Sequence, residues 1–127
     1  VSRGTTWRRL CDAALGLPGV QVGTSYSTPA LYVRKKLLAR LREDGETVAV
    51  RVELLDRDVL LAADPRTFFV TDHYLAYPWV LVRLKDARHG VVVELLEQAW
   101  QREAPKRVVA EWLAQLAKGP RRRPPRG

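Results

Sequence analysis

The chain of 127 residues carries 22 basic and 14 acidic side chains, which gives a formal net charge of +8. With 46% apolar and 28% charged residues, its composition is that of a soluble globular protein of one domain. No stretch approaches the roughly 20 apolar residues of a membrane span. The single cysteine excludes an internal disulfide framework and fits a reducing cytoplasm, so we expect a cytoplasmic protein with no membrane partner.

The positive charge is concentrated at the carboxyl end of the chain. Residues Lys118–Gly127 include five basic and no acidic side chains, together with prolines that prevent regular backbone hydrogen bonding. Without them, 17 basic and 14 acidic residues leave a charge of +3. The sequence therefore predicts a single domain over residues 1–117 and a disordered polybasic tail over residues 118–127.

The first predicted element is an amphipathic helix. Thr5 and Thr6 can cap it, and Gly16 and Pro18 end it. Its apolar side chains recur at three- and four-residue spacing, at Trp7, Leu10, Cys11 and Ala14.

After this helix the apolar pattern alternates as in strands, with Val20–Gly23 and Ala30–Val33 as two short candidates. Asp44-Gly45 then separates two alternating runs, which is a strong hairpin signal. If these two residues form the turn, every inward-facing pair is apolar. Those pairs are Leu41 with Val48, Ala39 with Val50 and Leu37 with Val52.

The second half of the chain predicts a short helix from Asp56 or Asp58 to Ala63, with Val59, Leu60 and Ala63 facing inward. A strand over Thr67–Thr71, a strand containing Val80, Val82 and Leu84, and helices after Gly90 and Pro105 follow. Strands joined by hairpins favour an antiparallel sheet. We therefore expect an α+β fold, a two-layer α/β sandwich of order α-β3-α-β2-α, with a mainly antiparallel sheet and helices on one of its faces.

Three stretches carry a resemblance to a known family. They are Thr24–Val33 with Lys36–Leu41, Phe68–Tyr74 with Tyr77–Leu84, and Trp100 with Ala104–Val109. Together they resemble the MmcQ/YjbR family of small bacterial proteins, whose name carries the label DNA-binding. The resemblance implies a two-layer α/β fold similar to secretion chaperones and to the frataxin-like CyaY. Iron handling is not implied, because the first helix offers only Asp12 as an acidic residue.

The two-layer fold implies that one face of the sheet is free of helices. That face would display Leu38, Arg40, Arg42, Arg51, Trp79, Leu81, Arg83 and Lys85. Basic side chains around an aromatic ring suit phosphate contacts and base stacking. We therefore predict a nucleic-acid-binding domain, with DNA as the partner and Trp79 as the stacking residue. Lys106 and Arg107, at the start of the last helix, and the basic tail would assist.

One alternative function uses the same face of the sheet, and another uses the loop before the last predicted strand. Leu38, Trp79 and Leu81 would form an apolar patch that suits a homodimer or another protein partner. The loop that contains His73, Tyr74 and Tyr77 could instead line a pocket for a small ligand or an enzymatic site. A purely solvated polar face is also consistent with the pattern.

The sequence contains no catalytic motif: neither a glycine-rich phosphate loop nor a nucleophile elbow is present. Two histidines and one cysteine are scattered without metal-ligand spacing. We therefore predict a protein that is not an enzyme and that holds no metal and no cofactor.

Overall fold

The computed structural model describes residues 3–118, so the predicted tail from residue 119 onward lies outside the described residues. This part of the chain forms four helices and six strands. In chain order they are α1 (Trp7–Ala14), β1 (Val20–Ser25), β2 (Thr28–Val33), β3 (Lys36–Leu41), β4 (Thr47–Arg51), α2 (Leu54–Ala63), β5 (Phe68–Phe69), β6 (Trp79–Arg83), α3 (His89–Glu103) and α4 (Lys106–Ala117). The predicted α+β fold is confirmed. Four strands rather than the three of the predicted order precede α2, and the helices predicted after Gly90 and Pro105 are α3 and α4.

The six strands form one sheet in the order β1-β2-β3-β4-β6-β5, and every neighbouring pair is antiparallel. The first four strands follow one another directly through hairpins, as the alternating pattern predicted. Helix α2 then separates β4 from the last pair of strands, and β6 inserts between β4 and the short edge strand β5. The middle of the sheet is therefore made by β3 and β4, with β2 and β6 on either side of them.

The helices cover one face of this sheet, where α3 packs against α1 and across β3 and β4. Trp100 of α3 is fully buried there, and its indole Nε1 donates a 2.8 Å hydrogen bond to the carbonyl oxygen of Pro18. Its ring meets the ring of Trp112 edge-on, with 5.1 Å between centroids, which fastens α4 to α3. The N-cap of α1 is Thr6, whose hydroxyl accepts from the backbone N–H of Arg9, as predicted.

The predicted hairpin at Asp44-Gly45 is confirmed. Leu41 lies opposite Val48 and Ala39 lies opposite Val50. Gly45 has a φ of +69°, which glycine adopts at no steric cost. The carboxylate of Asp44 closes the turn by accepting from the backbone N–H groups of Glu46 and Thr47.

A β-bulge in β3 changes which side chains reach each face of the sheet. Leu31 of β2 lies opposite Ala39, but Tyr32 lies opposite Leu37, so Leu38 is an additional residue. Leu38 and Ala39 both join the core, while Leu37 lines a cleft on the other face. The predictions that Leu37 faces the helices and that Leu38 faces away are therefore wrong, because strict alternation has no place for an extra residue.

Helix α2 also differs from its predicted orientation. Leu60 packs against the core as expected, whereas Val59 is 66% exposed and Ala63 is exposed. The buried residue of α2 is Arg57, a charged side chain that an apolar pattern cannot indicate. Of the helices described, none combines the length and hydropathy needed to cross a membrane.

Candidate functional site

The four sheet arginines of the prediction lie on the face opposite the helices. Arg40 is on β3, Arg51 on β4 and Arg83 on β6, and Arg42 directly follows β3. We call this surface the arginine face. Along its middle row the cross-strand neighbours are Arg40, Ala49, Leu81 and Phe69, and the neighbouring rows pair Arg51 with Trp79 and Thr47 with Arg83.

Each of these arginines lies over an aromatic ring. The guanidinium carbon is 4.8 Å from the ring centroid for Arg51 over Trp79 and 4.0 Å for Arg83 over Phe69. The other two pairs are Arg40 over Tyr26, at 5.2 Å, and Arg42 over Tyr74, at 5.6 Å. Cation–π attraction of this kind holds the arginine side chains against the sheet surface.

Arg40 is only 7% exposed and is held by three partners. Its Nε donates to the carbonyl oxygen of Ser25 at 3.1 Å, its Nη1 lies 3.4 Å from the hydroxyl of Tyr74, and its Nη2 donates to the carboxylate of Glu43. The backbone N–H of Glu43 itself, followed by this guanidinium, lowers the pKa of the Glu43 carboxyl. Arg40 is therefore a largely buried, partnered cation beneath the surface.

Arg42, Arg51 and Arg83 have a different environment. Within residues 3–118 none of the three forms an ion pair with a carboxylate. Arg51 donates from Nε to the carbonyl oxygen of Leu37 at 2.7 Å, and Arg83 donates to the carbonyl oxygens of Pro65 and Arg66. The buried Nε of Arg42 has no hydrogen-bond partner among the described residues. Arg51, Arg83 and Arg42 therefore carry positive charge without a direct carboxylate contact in the described chain, although the charge of Arg42 also helps to lower the pKa of the Glu43 and Asp44 carboxyls.

A cavity of about 210 Å³ opens on the arginine face, and we call it the aromatic cleft. Its lining consists of five rings, the Arg40 side chain and two apolar residues of the sheet. The lining residues are Tyr26, Leu37, Arg40, Ala49, His73, Tyr74, Tyr77 and Trp79. Tyr26 is 84% exposed and Tyr77 is 57% exposed, so aromatic surface faces solvent at its rim.

The loop that supplies one wall of the cleft is held from below by Arg57 of α2. Its guanidinium donates to four backbone carbonyl oxygens, those of Tyr74, Leu75, Tyr77 and Trp79, at 2.8 to 3.2 Å. Arg57 is 5% exposed and forms no ion pair within the described chain. One buried cation thus defines the path of the loop, and with it the positions of Tyr74 and Tyr77.

The remaining predicted site residues lie elsewhere. Lys85 is exposed beyond the end of β6 and lines a shallow groove beside the start of α1. Lys106 lines a groove between the β2–β3 turn and the α3–α4 corner, together with Arg34, Lys36 and Arg102. Arg107 pairs with Glu111 at 3.4 Å on the surface of α4. The structure does not bring Lys85, Lys106 or Arg107 into the aromatic cleft.

The apolar patch proposed for a dimer is not exposed as expected. Leu38 belongs to the core, and Leu81 is fully buried on the other side of the sheet. Trp79 is half-buried beneath Arg51. The three side chains therefore do not form an open apolar surface.

Three contributors to the site were not anticipated from sequence. Tyr26 lies in a two-residue turn with Ser27, and both have a positive φ, of 52° and 67°, without the Asn or Gly that usually signals such a turn. Arg57 belongs to a helix assigned only a core role. Leu37 reaches the cleft through the bulge. By contrast, His73, Tyr74 and Tyr77 were singled out as a possible pocket, and all three line the cleft.

The described residues contain no group of three or more histidine, cysteine, aspartate or glutamate side chains placed to hold a metal ion. His73 meets Tyr74 edge-on, with 5.0 Å between ring centroids, rather than a carboxylate. His89 hydrogen-bonds the hydroxyl of Thr5 at 2.8 Å, and burial, then the charge of Arg9, lowers its pKa. The contacts described for His73 and His89 are therefore with an aromatic ring and a hydroxyl group.

The model of a protein family described as YjbR matches residues 15–102. The uncharacterized protein Rv2570 of Mycobacterium tuberculosis and the uncharacterized protein Mb2600 of Mycobacterium bovis are each 41% identical over 73 residues. The matched region is 55% of this chain and 55% of each relative, so the chain spans about half the length of the curated relatives it matches.

A solved structure gives a second comparison. The crystal structure of the Deinococcus radiodurans protein DR2400, of the domain family DUF419, superposes with a TM-score of 0.67. The match covers 86% of this chain and 88% of that chain at 17% identity. At this identity the likeness shows the shared fold alone.

Proposed function

The chain belongs to the YjbR family, as its sequence resemblance predicted, and on that premise we propose that the arginine face binds the phosphates of a nucleic acid without catalysing a reaction on it. The observation that carries the proposal is the set of three arginines, Arg42, Arg51 and Arg83, that have aromatic supports but form no ion pair with a carboxylate within residues 3–118. Phosphate contacts of this kind supply most sequence-independent affinity for nucleic acids.

The aromatic supports favour binding for an entropic reason. A free arginine side chain loses rotamer freedom when it closes on a phosphate, which costs about 0.5–1.5 kcal/mol per side chain. Stacking on Trp79 and Phe69 has already restricted Arg51 and Arg83 in the free protein. Their planar guanidinium groups are also suited to bidentate contacts with phosphate oxygens.

The spacing of these arginines fits a phosphate backbone. Arg83 of β6 lies opposite Thr47 of β4, and Arg51 lies on β4 four residues after Thr47. Four residues of strand span about 14 Å, which is about four times the axial rise of roughly 3.4 Å between successive phosphates in one strand of a duplex. The arginine face can therefore contact several phosphates at once, which predicts a strong dependence of affinity on salt.

The proposal is tested by fluorescence anisotropy of labelled single-stranded and duplex DNA with the full chain at two salt concentrations. Arg42→Gln, Arg51→Gln and Arg83→Gln should each weaken binding to every sequence, and each should reduce the slope of log affinity against log salt by about 1. Arg8→Gln is the matched control. It removes the same charge from an exposed position on α1, away from the arginine face.

A second control separates this surface from the tail. In a full-length variant, Arg121, Arg122, Arg123 and Arg126 are replaced by glutamine. If that variant loses all binding while the triple substitution on the arginine face changes nothing, the proposal is overturned. The tail, rather than the folded surface, would then account for the affinity.

A further inference from the structure

Resting on the proposed function, we propose that the aromatic cleft takes one unpaired base of a single strand whose phosphates contact the arginine face. The base is one that bears a ring carbonyl: guanine, cytosine, thymine or uracil. The inference rests on the size of the cleft, the composition of its walls and the buried guanidinium of Arg40.

The volume and walls of the cleft suit a single planar ring. About 210 Å³ is less than the roughly 300 Å³ at which pockets for drug-sized ligands begin. The floor is Ala49, a small side chain on the middle strand, and aromatic rings from the Tyr26 turn, the loop and β6 surround it. Every base presents an aromatic face, and stacking on protein rings contributes about 1–3 kcal/mol per base.

Arg40 supplies hydrogen-bond donors inside the cleft. A guanidinium has five N–H groups, and three of those on Arg40 are directed at Ser25, Tyr74 and Glu43. One N–H remains on each of its two terminal nitrogens. A base carbonyl, alone or with the adjacent ring nitrogen of guanine, is an acceptor that these donors fit.

The cleft exists before any ligand is bound. Arg57 holds three carbonyl groups of the loop and that of Trp79 at the start of β6, and Arg51 lies against the ring of Trp79. The side chains and backbone that line the cleft are therefore already ordered, so binding of a base costs little additional conformational entropy. The base would also cover Tyr77 and Tyr26, the two exposed rings of the rim.

The test compares two labelled strands that have equal numbers of phosphates: an oligothymidine and an abasic strand of the same length. The full chain should bind the oligothymidine about 10-fold more tightly, within the range that one stacked base contributes. Tyr77→Ala should remove this preference, and Tyr77→Phe should retain it. Leu75→Ala is the control, because Leu75 is an exposed residue of the same loop that does not line the cleft.

The outcomes separate this inference from the proposed function. Equal affinity for the two strands, with no effect of Tyr77→Ala, overturns base capture, while the substitutions on the arginine face would still weaken both complexes. Failure of every strand to bind overturns both proposals. If thymidine monophosphate binds in a manner sensitive to Tyr77→Ala while the two strands bind equally, the cleft receives a free nucleotide and the inferred strand is wrong.

Discussion

The Nη1 atom of Arg57 donates a 2.9 Å hydrogen bond to the backbone carbonyl oxygen of Tyr77, twenty residues further along the chain. The same guanidinium reaches the carbonyl oxygens of Tyr74, Leu75 and Trp79. Its charge is buried against carbonyl dipoles rather than a carboxylate. Arg57 therefore joins α2 to the loop and to the start of β6 through four hydrogen bonds.

Replacing that side chain should destabilise the protein strongly. Arg57→Met keeps most of the apolar stem but leaves four carbonyl groups without their donor, so we expect the free energy of unfolding to fall by about 3 kcal/mol. Urea unfolding measures this loss. Arg66→Met is the control, since the Arg66 side chain is 67% exposed and should cost less than about 0.5 kcal/mol. A loss below about 1 kcal/mol for Arg57→Met would show that water replaces the guanidinium.

The turn between β2 and β3 carries backbone strain. Arg34 and Lys35 have φ values of 51° and 67°, which L-residues adopt at a cost and which Asn-Gly adopts readily. Replacing the pair by Asn-Gly should raise the free energy of unfolding by about 1 kcal/mol. Replacing both by glutamine removes the same charges but keeps the strain, and should bring no gain. If both variants change the free energy of unfolding equally, the change results from the lost charges and not from relief of backbone strain.

The hairpin turn at Asp44 should make stability depend on acid pH. Desolvation raises the pKa of the Asp44 carboxyl, but hydrogen bonds from Glu46 and Thr47 outweigh it and lower the pKa overall. Because the pKa of Asp44 is lower in the folded state, its ionisation stabilises the fold. This contribution is complete above the pKa of an aspartate in the unfolded chain, about 3.9, and is lost as the pH falls through the pKa of the folded state. Asp44→Asn cannot titrate. The difference in unfolding free energy between wild type and this variant should therefore be largest near neutral pH and shrink below pH ~4. A difference that stays constant between these pH values, measured by urea unfolding, would contradict the assignment.

The single cysteine should be unreactive in the folded protein. Burial, followed by the charge of Asp12, raises the pKa of the Cys11 thiol to about 11. At pH 8, only about one Cys11 thiol in a thousand is then the reactive thiolate. The burial of Cys11 on the core face of α1 also limits the access of reagents to its sulfur. We expect Ellman's reagent to react slowly with the native chain and quickly in urea. Equal rates would show that α1 detaches readily from the core.

Sequence patterns predicted those parts of the fold in which local chemistry and tertiary packing agree. The pairing of Leu41 with Val48 follows from alternation on both sides of an Asp-Gly turn. The cap at Thr6 follows from its place before the first apolar stripe. The sheet arginines were recognised because most of their strands alternate without interruption.

The site could be predicted only in part, because its remaining contacts join distant segments. No local pattern relates Arg57 to a loop about twenty residues away, and an arginine within a helix usually indicates a solvated face. Tyr26 was missed because a turn with two positive φ values normally signals itself through Asn or Gly. Aromatic residues in the loop did indicate a pocket, although their pattern could not show that Arg40 lies inside it.

The bulge at Leu38 reverses the inward–outward alternation of side chains within β3, a strand of six residues. Leu37, before the bulge, and Arg40, after it, both line the aromatic cleft. Residues three positions apart in a regular strand would lie on opposite faces. A single-residue deletion here would not merely shorten the strand. Loss of Leu38 would restore strict alternation and leave Leu37 and Arg40 on the same face, but it would remove a fully buried leucine that only the bulge adds to the core.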